Sequence, residues 1–230
     1  MIKFKKLMCG ALVAAMALSA AGCSVDGFGN KAGKKNTDTV VATVGDTKIT
    51  FGDIETGVKN IEKSIITDYG EDYESKEEAM NSFTQQKKDY LDYVVEGEIF
   101  TQKADEMGLT ASDDEVQVQL QQLMDQFDSE EAYNAALEQS GMTLDQIKEQ
   151  LAENIKINKV IDSLFESIQV TDEEIKEYYD NNESVQESTL EDAKATIKEI
   201  IQQDKQYTLY QETLGKWKTE LGVEVYYDLL

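Results

Sequence analysis

The chain has no histidine, no proline and no arginine, and its only cysteines are Cys9 and Cys23. Without histidine there is no Ser-His or Cys-His pair for nucleophilic catalysis and no imidazole to complete a zinc site. Long apolar runs are equally scarce. The one candidate, residues 7–20, is rich in Ala, Leu and Met but falls short of the roughly 20 residues that a membrane-crossing helix needs. Basic side chains are also few: 22 Lys stand against 46 Asp and Glu, for a net charge of −24. Such a surface repels phosphate backbones and anionic headgroups. It argues against a nucleic-acid partner and against electrostatic docking on a membrane.

What the first residues do contain sets the address. Lys3, Lys5 and Lys6 precede the apolar run, and Ala20, Ala21 and Gly22 stand directly before Cys23. This is the layout of a secretory signal peptide over residues 1–22. Small residues followed by Cys resemble the lipobox of bacterial lipoproteins, although Ala20 stands where that family more often has Leu. The resemblance implies cleavage before Cys23 and a fatty-acylated diacylglyceryl group, such as one carrying palmitate, on its thiol. The chain would then sit on the extracytoplasmic face of the cell membrane. The alternative is plain secretion with Cys23 as a free thiol. Cys23 would be the only thiol of the mature chain, so no intramolecular disulfide could form. Stability would rest on an apolar core, for which about two hundred residues suffice. Losing residues 1–22 removes three Lys and no acid and takes the charge to about −27. Residues 23–38 read as the lipidated tether: Gly27, Gly29, Gly33, Asn and Lys dominate, and as flexible coil it would span roughly 20 Å.

Residues 39–45 read as a short strand carrying Val40, Val41 and Val44, turned by Gly45-Asp46, with Lys48-Ile49 returning as a second. Thr50, with Asp53 three residues on, marks a helix start. Ile54, Val58, Ile61 and Ile65 then recur on one face until 69–72 break the helix. A long helix opens at Ser75 or Lys76 and ends at Gly108. Ser112, Thr143, Thr171 and Thr189 cap further helices, and a short one over 130–140 stops at Gly141. Apolar residues in the helix after Thr143 keep helical register as far as Ile168. Residues 181–188 read as a polar loop, and 223–226 as a last short strand. Strands this short are unstable alone, so the two ends of the domain should pair with each other or with Lys48-Ile49.

Three stretches together resemble the SurA and PrsA chaperone family. Val41-Ala42-Thr43-Val44-Gly45-Asp46 with Ile49-Thr50 is similar to its opening strand pair. Residues 91–109 with Thr110-Ala111-Ser112-Asp113-Asp114-Glu115-Val116 are similar to its central helix and next helix start. Val170 through Tyr179 resembles the helix leading out of its chaperone domain. The resemblance implies a mainly α fold: a SurA N-terminal-like helical domain over residues 39–230, with a small β element made from its N- and C-terminal segments. In PrsA-type foldases the Tyr-Tyr helix leads into a parvulin prolyl-isomerase domain of roughly ninety residues, whose site uses histidines. Here only residues 181–188 occupy that place. The resemblance therefore implies the chaperone part of a foldase without its enzyme part.

No catalytic residue, metal ligand or cofactor is read from the sequence. Asp113-Asp114-Glu115 and Asp172-Glu173-Glu174 sit where helix starts favour negative charge. The acidic stretch 68–78 lacks EF-hand spacing, and the glycines of 27–33 before Lys34 lack the order of a phosphate loop. The expected function is a membrane-anchored extracytoplasmic chaperone that binds unfolded or partly folded secreted polypeptides. The alternatives are a scaffold lipoprotein that binds one folded partner, and a protein related to prolyl isomerases. Aromatic and Met side chains on amphipathic helices are candidates for client contact. Tyr178 and Tyr179 stand out, because neighbouring Tyr residues on one helix do not easily face the same core.

Overall fold

A computed structural model describes residues 36–140 and 142–230. The signal segment, Cys23, most of the tether and Gly141 lie outside the described residues. The chain enters through a hairpin of β1 (Val40–Val44) and β2 (Thr47–Thr50). Gly45 in the two-residue turn takes φ +58°, a left-handed value that only a residue without Cβ adopts freely. At the other end of the chain β3 (Glu224–Val225) pairs antiparallel with β1, giving the order β2-β1-β3. The pairing of the two ends is as expected, but the last strand is shorter than the 223–226 read from sequence. After Val225 the register is interrupted, and the Tyr226 N–H donates to the Val41 carbonyl at 2.8 Å. Val41 lies where β1 slips register against β2, between Val40 and Ala42.

Seven helices follow the hairpin: α1 (Phe51–Tyr69), α2 (Glu77–Glu106), α3 (Asp113–Met124), α4 (Glu130–Ser140), α5 (Leu144–Phe165), α6 (Asp172–Asn181) and α7 (Leu190–Glu220). Full capping boxes start four of them, at Thr50/Asp53, Ser112/Glu115, Thr143/Gln146 and Thr171/Glu174. Thr189 caps α7 by accepting from the Asp192 N–H. Each satisfies backbone donors that a helix start leaves without partners, typically for about 1 kcal/mol. Three boundaries differ from expectation. Residues 73–75 form a separate 3-10 turn, so α2 starts at Glu77. α5 ends at Phe165, and Ile168 turns back to donate to the Phe165 carbonyl. Asn181 still belongs to α6, and Glu183–Val185 makes one 3-10 turn in the link to α7.

The thirty residues of α2 are the spine. Leu91, Val95, Ile99, Phe100 and Ala104 are buried against Val41 and Val44 of β1, Ile54 and Val58 of α1, Val160 and Ile161 of α5, and Tyr210 and Leu214 of α7. Phe100 stacks on Tyr210 and meets Trp217 edge-on, both at 5.4 Å between ring centres. Lys103 lies in the same seam with its side chain 5% exposed, held by Glu106 and Glu220 at 2.8 Å each. A second cluster joins α3, α4 and the start of α5 through Leu120, Leu123, Tyr133 and Ile147. A third joins α6 to α7 through Ile175, Ala193 and Ile197. No helix among the described residues is long and apolar enough to cross a membrane.

Candidate functional site

A cleft of about 510 Å³ opens between β2, the first turn of α1, the middle of α2 and α5. Helical spacing puts its walls there. Residues 90, 93, 94, 97, 98 and 101 share one face of α2, and residues 150, 153, 154, 157 and 158 share one face of α5. Thr47, Lys48 and Ile49 of β2 close one end. Tyr90 and Tyr93 stack with ring centres 6.4 Å apart. The Tyr90 ring lies against the backbone of α1 at Gly57, where an added Cβ would come within 2.1 Å of the ring. Gly97 lies in the opposite situation: an added Cβ would meet nothing within 4 Å. Its missing side chain leaves the α2 wall of the cleft open at that point.

The polar lining has a definite charge. Gln102 on α2 shares the two hydrogens of Nε2 among the Val44 carbonyl at 2.9 Å, Thr47 Oγ1 at 3.1 Å and Glu98 Oε1 at 2.8 Å. It therefore fixes the hairpin and Glu98 together. Asp53 is engaged by the cap, accepting from the Thr50 N–H and Oγ1 at 2.7 Å each. Much of the Glu153 side chain is open to solvent. Even so, partial desolvation of its carboxyl holds its pKa above the ordinary value, and Glu98 and Glu149 add to this against Lys156. Desolvation alone raises the pKa of Tyr90. The amides of Gln150 and Asn154 make no side-chain hydrogen bond with the described residues and face the cleft. The arrangement holds no nucleophile paired with a base. It offers apolar surface, uncommitted amides and a surplus of carboxylate.

Tyr178 and Tyr179 are elsewhere. Both are half-buried and pack against the Ile175, Ala193 and Ile197 cluster between α6 and α7. The Tyr179 hydroxyl donates to the Ser188 carbonyl at 2.7 Å. Neighbouring positions on one helix thus flank a single cluster, because α7 and the 182–189 link wrap α6 on adjacent sides. The acidic helix starts are tied to neighbouring helices: Glu115 pairs with Lys159 of α5, Asp172 with Lys194 of α7, and Glu174 with Lys205 of α7. In the acidic stretch 68–78, Asp72 is paired with Lys76. Among the described residues no three acidic side chains converge in a way that would hold a metal ion.

The sequence has counterparts among known proteins. A family model for the SurA-like N-terminal domain matches residues 2–161. The chain belongs to that family. The matched SurA-like segment contains every residue that lines the cleft, from Thr47 to Asn158. Among curated relatives, the foldase protein PrsA of Clostridium acetobutylicum is 30% identical over 185 residues, covering 78% of this chain and 55% of that protein. The foldase protein PrsA of Clostridium kluyveri is 32% identical over 191 residues, covering 78% and 55%. That of Clostridium perfringens is 26% identical over 203 residues, covering 87% and 58%. The chain thus spans about half the length of the curated relatives it matches. No solved structure matches it.

Sequence reasoning covered Tyr90 and Tyr93 only within the broad class of aromatics on amphipathic helices, and it missed Gly97, Glu98, Gln150, Glu153 and Asn154. Two signals were present. An isolated Gly inside a strong helical pattern marks a packing or functional exception, and Gln150 and Asn154 repeat at four-residue spacing beside the buried face of α5.

Proposed function

We propose that this SurA-like domain is a chaperone module that holds short stretches of unfolded or partly folded secreted polypeptide in the cleft. The mixed lining of the cleft carries the reading. Tyr90, Val94 and Ile157 supply non-directional apolar contact. Gln150 and Asn154 supply both donors and acceptors, which a peptide backbone can use whatever its side chains. Such a site fits a few residues of chain and tolerates many sequences. The chain's relatives bear the name foldase, which agrees with a role in protein folding. The test is suppression of aggregation of several unrelated unfolded proteins. Wild type should suppress all of them at near-stoichiometric amounts. Gly97→Trp, which projects a ring into open space, should melt like wild type and suppress poorly. No suppression by wild type against any client would move the reading to a scaffold that binds one folded partner.

The same proposal places the module on the outer face of the cell membrane through a lipid on Cys23, with no nucleic-acid partner. The Lys-rich start, the apolar run and the Gly22-Cys23 junction support the anchor, and the net charge of −24 speaks against nucleic acid. Wild type should incorporate labelled palmitate and Cys23→Ala should not; equal labelling would remove the anchor. The module is further proposed to add no prolyl isomerisation of its own. The chain contains no histidine, and residues 182–189 alone join α6 to α7. The protein should leave the cis-trans rate of a proline peptide at background, and a clear acceleration would overturn that part.

A further inference from the structure

We infer that the cleft takes its polypeptide as an extended strand laid along the free edge of β2, with a lysine or arginine of that strand directed at Glu98 and Glu153. The inference rests on the holding function proposed above and specifies how that site reads its client. Among the described residues β2 is an outer strand of the sheet. Three consecutive residues of it, Thr47, Lys48 and Ile49, line the cleft. Successive residues of a strand point to opposite faces, so a strand that lines a cavity with all three presents its edge there.

The register identifies the groups on that edge. Val44 faces Thr47 across the two-residue turn, and Thr43 faces Lys48. Antiparallel pairs alternate between hydrogen-bonded and non-bonded, and the pair that closes the turn is bonded. The Lys48 N–H and C=O therefore point away from β1, toward the cleft. The Thr50 N–H is taken by Asp53, so Lys48 is the pairing point. An added strand would contact about four residues over roughly 13 Å at 3.3 Å per residue. Its alternate side chains would meet Tyr90 and Val94. An exposed edge is a ready template for such pairing.

Charge selects the occupant. Glu98 comes from α2 and Glu153 from α5, and both line the cleft. The other charged groups around them are Asp53 at the start of α1, Lys48 on β2, and Glu149 and Lys156 beside Glu153 on α5. The balance is negative, and an incoming cation would offset the mutual repulsion of Glu98, Glu149 and Glu153. An acidic segment would meet that repulsion together with the negative charge of the whole chain.

The test uses the full chain and three seven-residue peptides in which Val alternates with Lys, Gln or Glu. By calorimetry the Lys peptide should bind at least tenfold tighter than the Glu peptide, with Gln between. Methylating alternate backbone nitrogens of the Lys peptide in one register should weaken binding at least tenfold, while the other register should bind almost as before. Lys48→Pro, at an edge position whose N–H leaves the sheet and where Pro is tolerated, should weaken all three peptides. If that variant fails to fold, the methylated pair decides alone, because it leaves the protein unchanged. Glu98→Gln combined with Glu153→Gln should sharply narrow the gap between the Lys and Glu peptides. Equal effects of both methylation patterns, or no charge preference, would overturn the inference. Suppression of aggregation that persists beside such a result would leave the holding function standing. Loss of both would remove both, and binding of a compact native protein but of no peptide would assign the cleft to a folded partner.

Discussion

Gly57 and Gly97 are both glycines inside helices, and the structure gives them opposite signs. Helix propensity alone favours Ala over Gly by about 1 kcal/mol at either position. At Gly97 nothing lies within 4 Å of an added Cβ, so Gly97→Ala should raise stability by up to about 1 kcal/mol. At Gly57 the Cβ would fall 2.1 Å from the Tyr90 ring, so Gly57→Ala should instead cost about 1–3 kcal/mol through overpacking. Gly57→Ala with Tyr90→Ala should then destabilise by less than the sum of the two single changes, and a double-mutant cycle by denaturant melts checks this. Glu153 and Glu115 form a second contrast, readable in the pH dependence of Tm. The Glu153 pKa is raised above 4.5 on folding, so its ionisation opposes the folded state. Stability from this group is fully present below 4.5 and is lost as pH rises through the folded value. Glu153→Gln should therefore raise Tm near neutral pH and leave it unchanged below about pH 4. The Glu115 pKa is lowered from 4.5 to about 2, first by the Lys159 hydrogen bond and then by the Ser112 cap. Its contribution is present above 4.5 and is lost as pH falls toward 2, so Glu115→Gln should lower Tm near neutral pH and converge with wild type in strong acid. Two carboxyl variants with the same trend would contradict this assignment.

Individual helices were legible because their signals are local. Thr50, Ser112, Thr143, Thr171 and Thr189 all cap as read, since a cap needs only residues within three positions. The buried faces of α1 and α3 follow the apolar periodicity for the same reason. Boundaries set by non-local packing were not legible. Ser75 and Lys76 fall outside α2 because a 3-10 turn over 73–75 precedes it, held where the Tyr73 ring meets Phe83 edge-on and its hydroxyl donates to Glu62. The cleft was illegible on a larger scale. Its walls come from residues 47 to 158, and apolar periodicity reports the faces that helices bury, whereas the cleft uses the faces left between them. The half-burial of Tyr178 and Tyr179 was not legible either, because the packing of α7 against α6 is not written in α6. Lys103 was overlooked in the same way. Its charge reads as a surface residue of α2, yet its stem is buried beside Trp217 and its ammonium bridges Glu106 to Glu220 on α7. Burial works to lower its pKa, but the two hydrogen-bonded carboxylates outweigh this and the net shift is upward. Both carboxylates are more than half exposed and lose little when the ammonium is removed. The packing of the stem is therefore the larger part. Lys103→Met should stay near wild type, whereas Lys103→Ala should cost about 1–3 kcal/mol. Equal losses in thermal melts would assign the stability to the ion pairs instead.

At the scale of the whole molecule, the two ends of the described chain form one sheet on top of α2. β1 is its middle strand, with β2 on the cleft side and β3 on the other. The last turn of the chain extends this contact. The Gly45 N–H donates to the Leu221 carbonyl at 2.8 Å, the Tyr227 hydroxyl donates to Asp92 on α2, and Lys88 lies 5.7 Å over the Tyr227 ring. Desolvation, then the hydrogen bond to Asp92, pushes the Tyr227 pKa up to about 12, so this link stays intact across the neutral range. Val223, Val225 and Leu230 also cover part of the main core. Deleting residues 223–230 removes all of this except the Gly45 contact and turns β1 into an edge strand. Each kcal/mol lost shifts Tm by roughly 2–4 °C in a domain of this size, and several contacts go at once, so Tm should fall by several degrees or more. A second consequence follows from the strand order. β2 is held by β1 and by Gln102, so loosening β1 should blur the edge that faces the cleft. At a temperature where both proteins are folded, the truncated chain should bind the Lys peptide more weakly while Tyr227→Phe, which removes only the hydroxyl, binds it as wild type does. An unchanged Tm on truncation would show that the tail adds nothing to the fold. A lowered Tm with unchanged peptide affinity would show that Gln102 and α1 hold β2 in place without its neighbour.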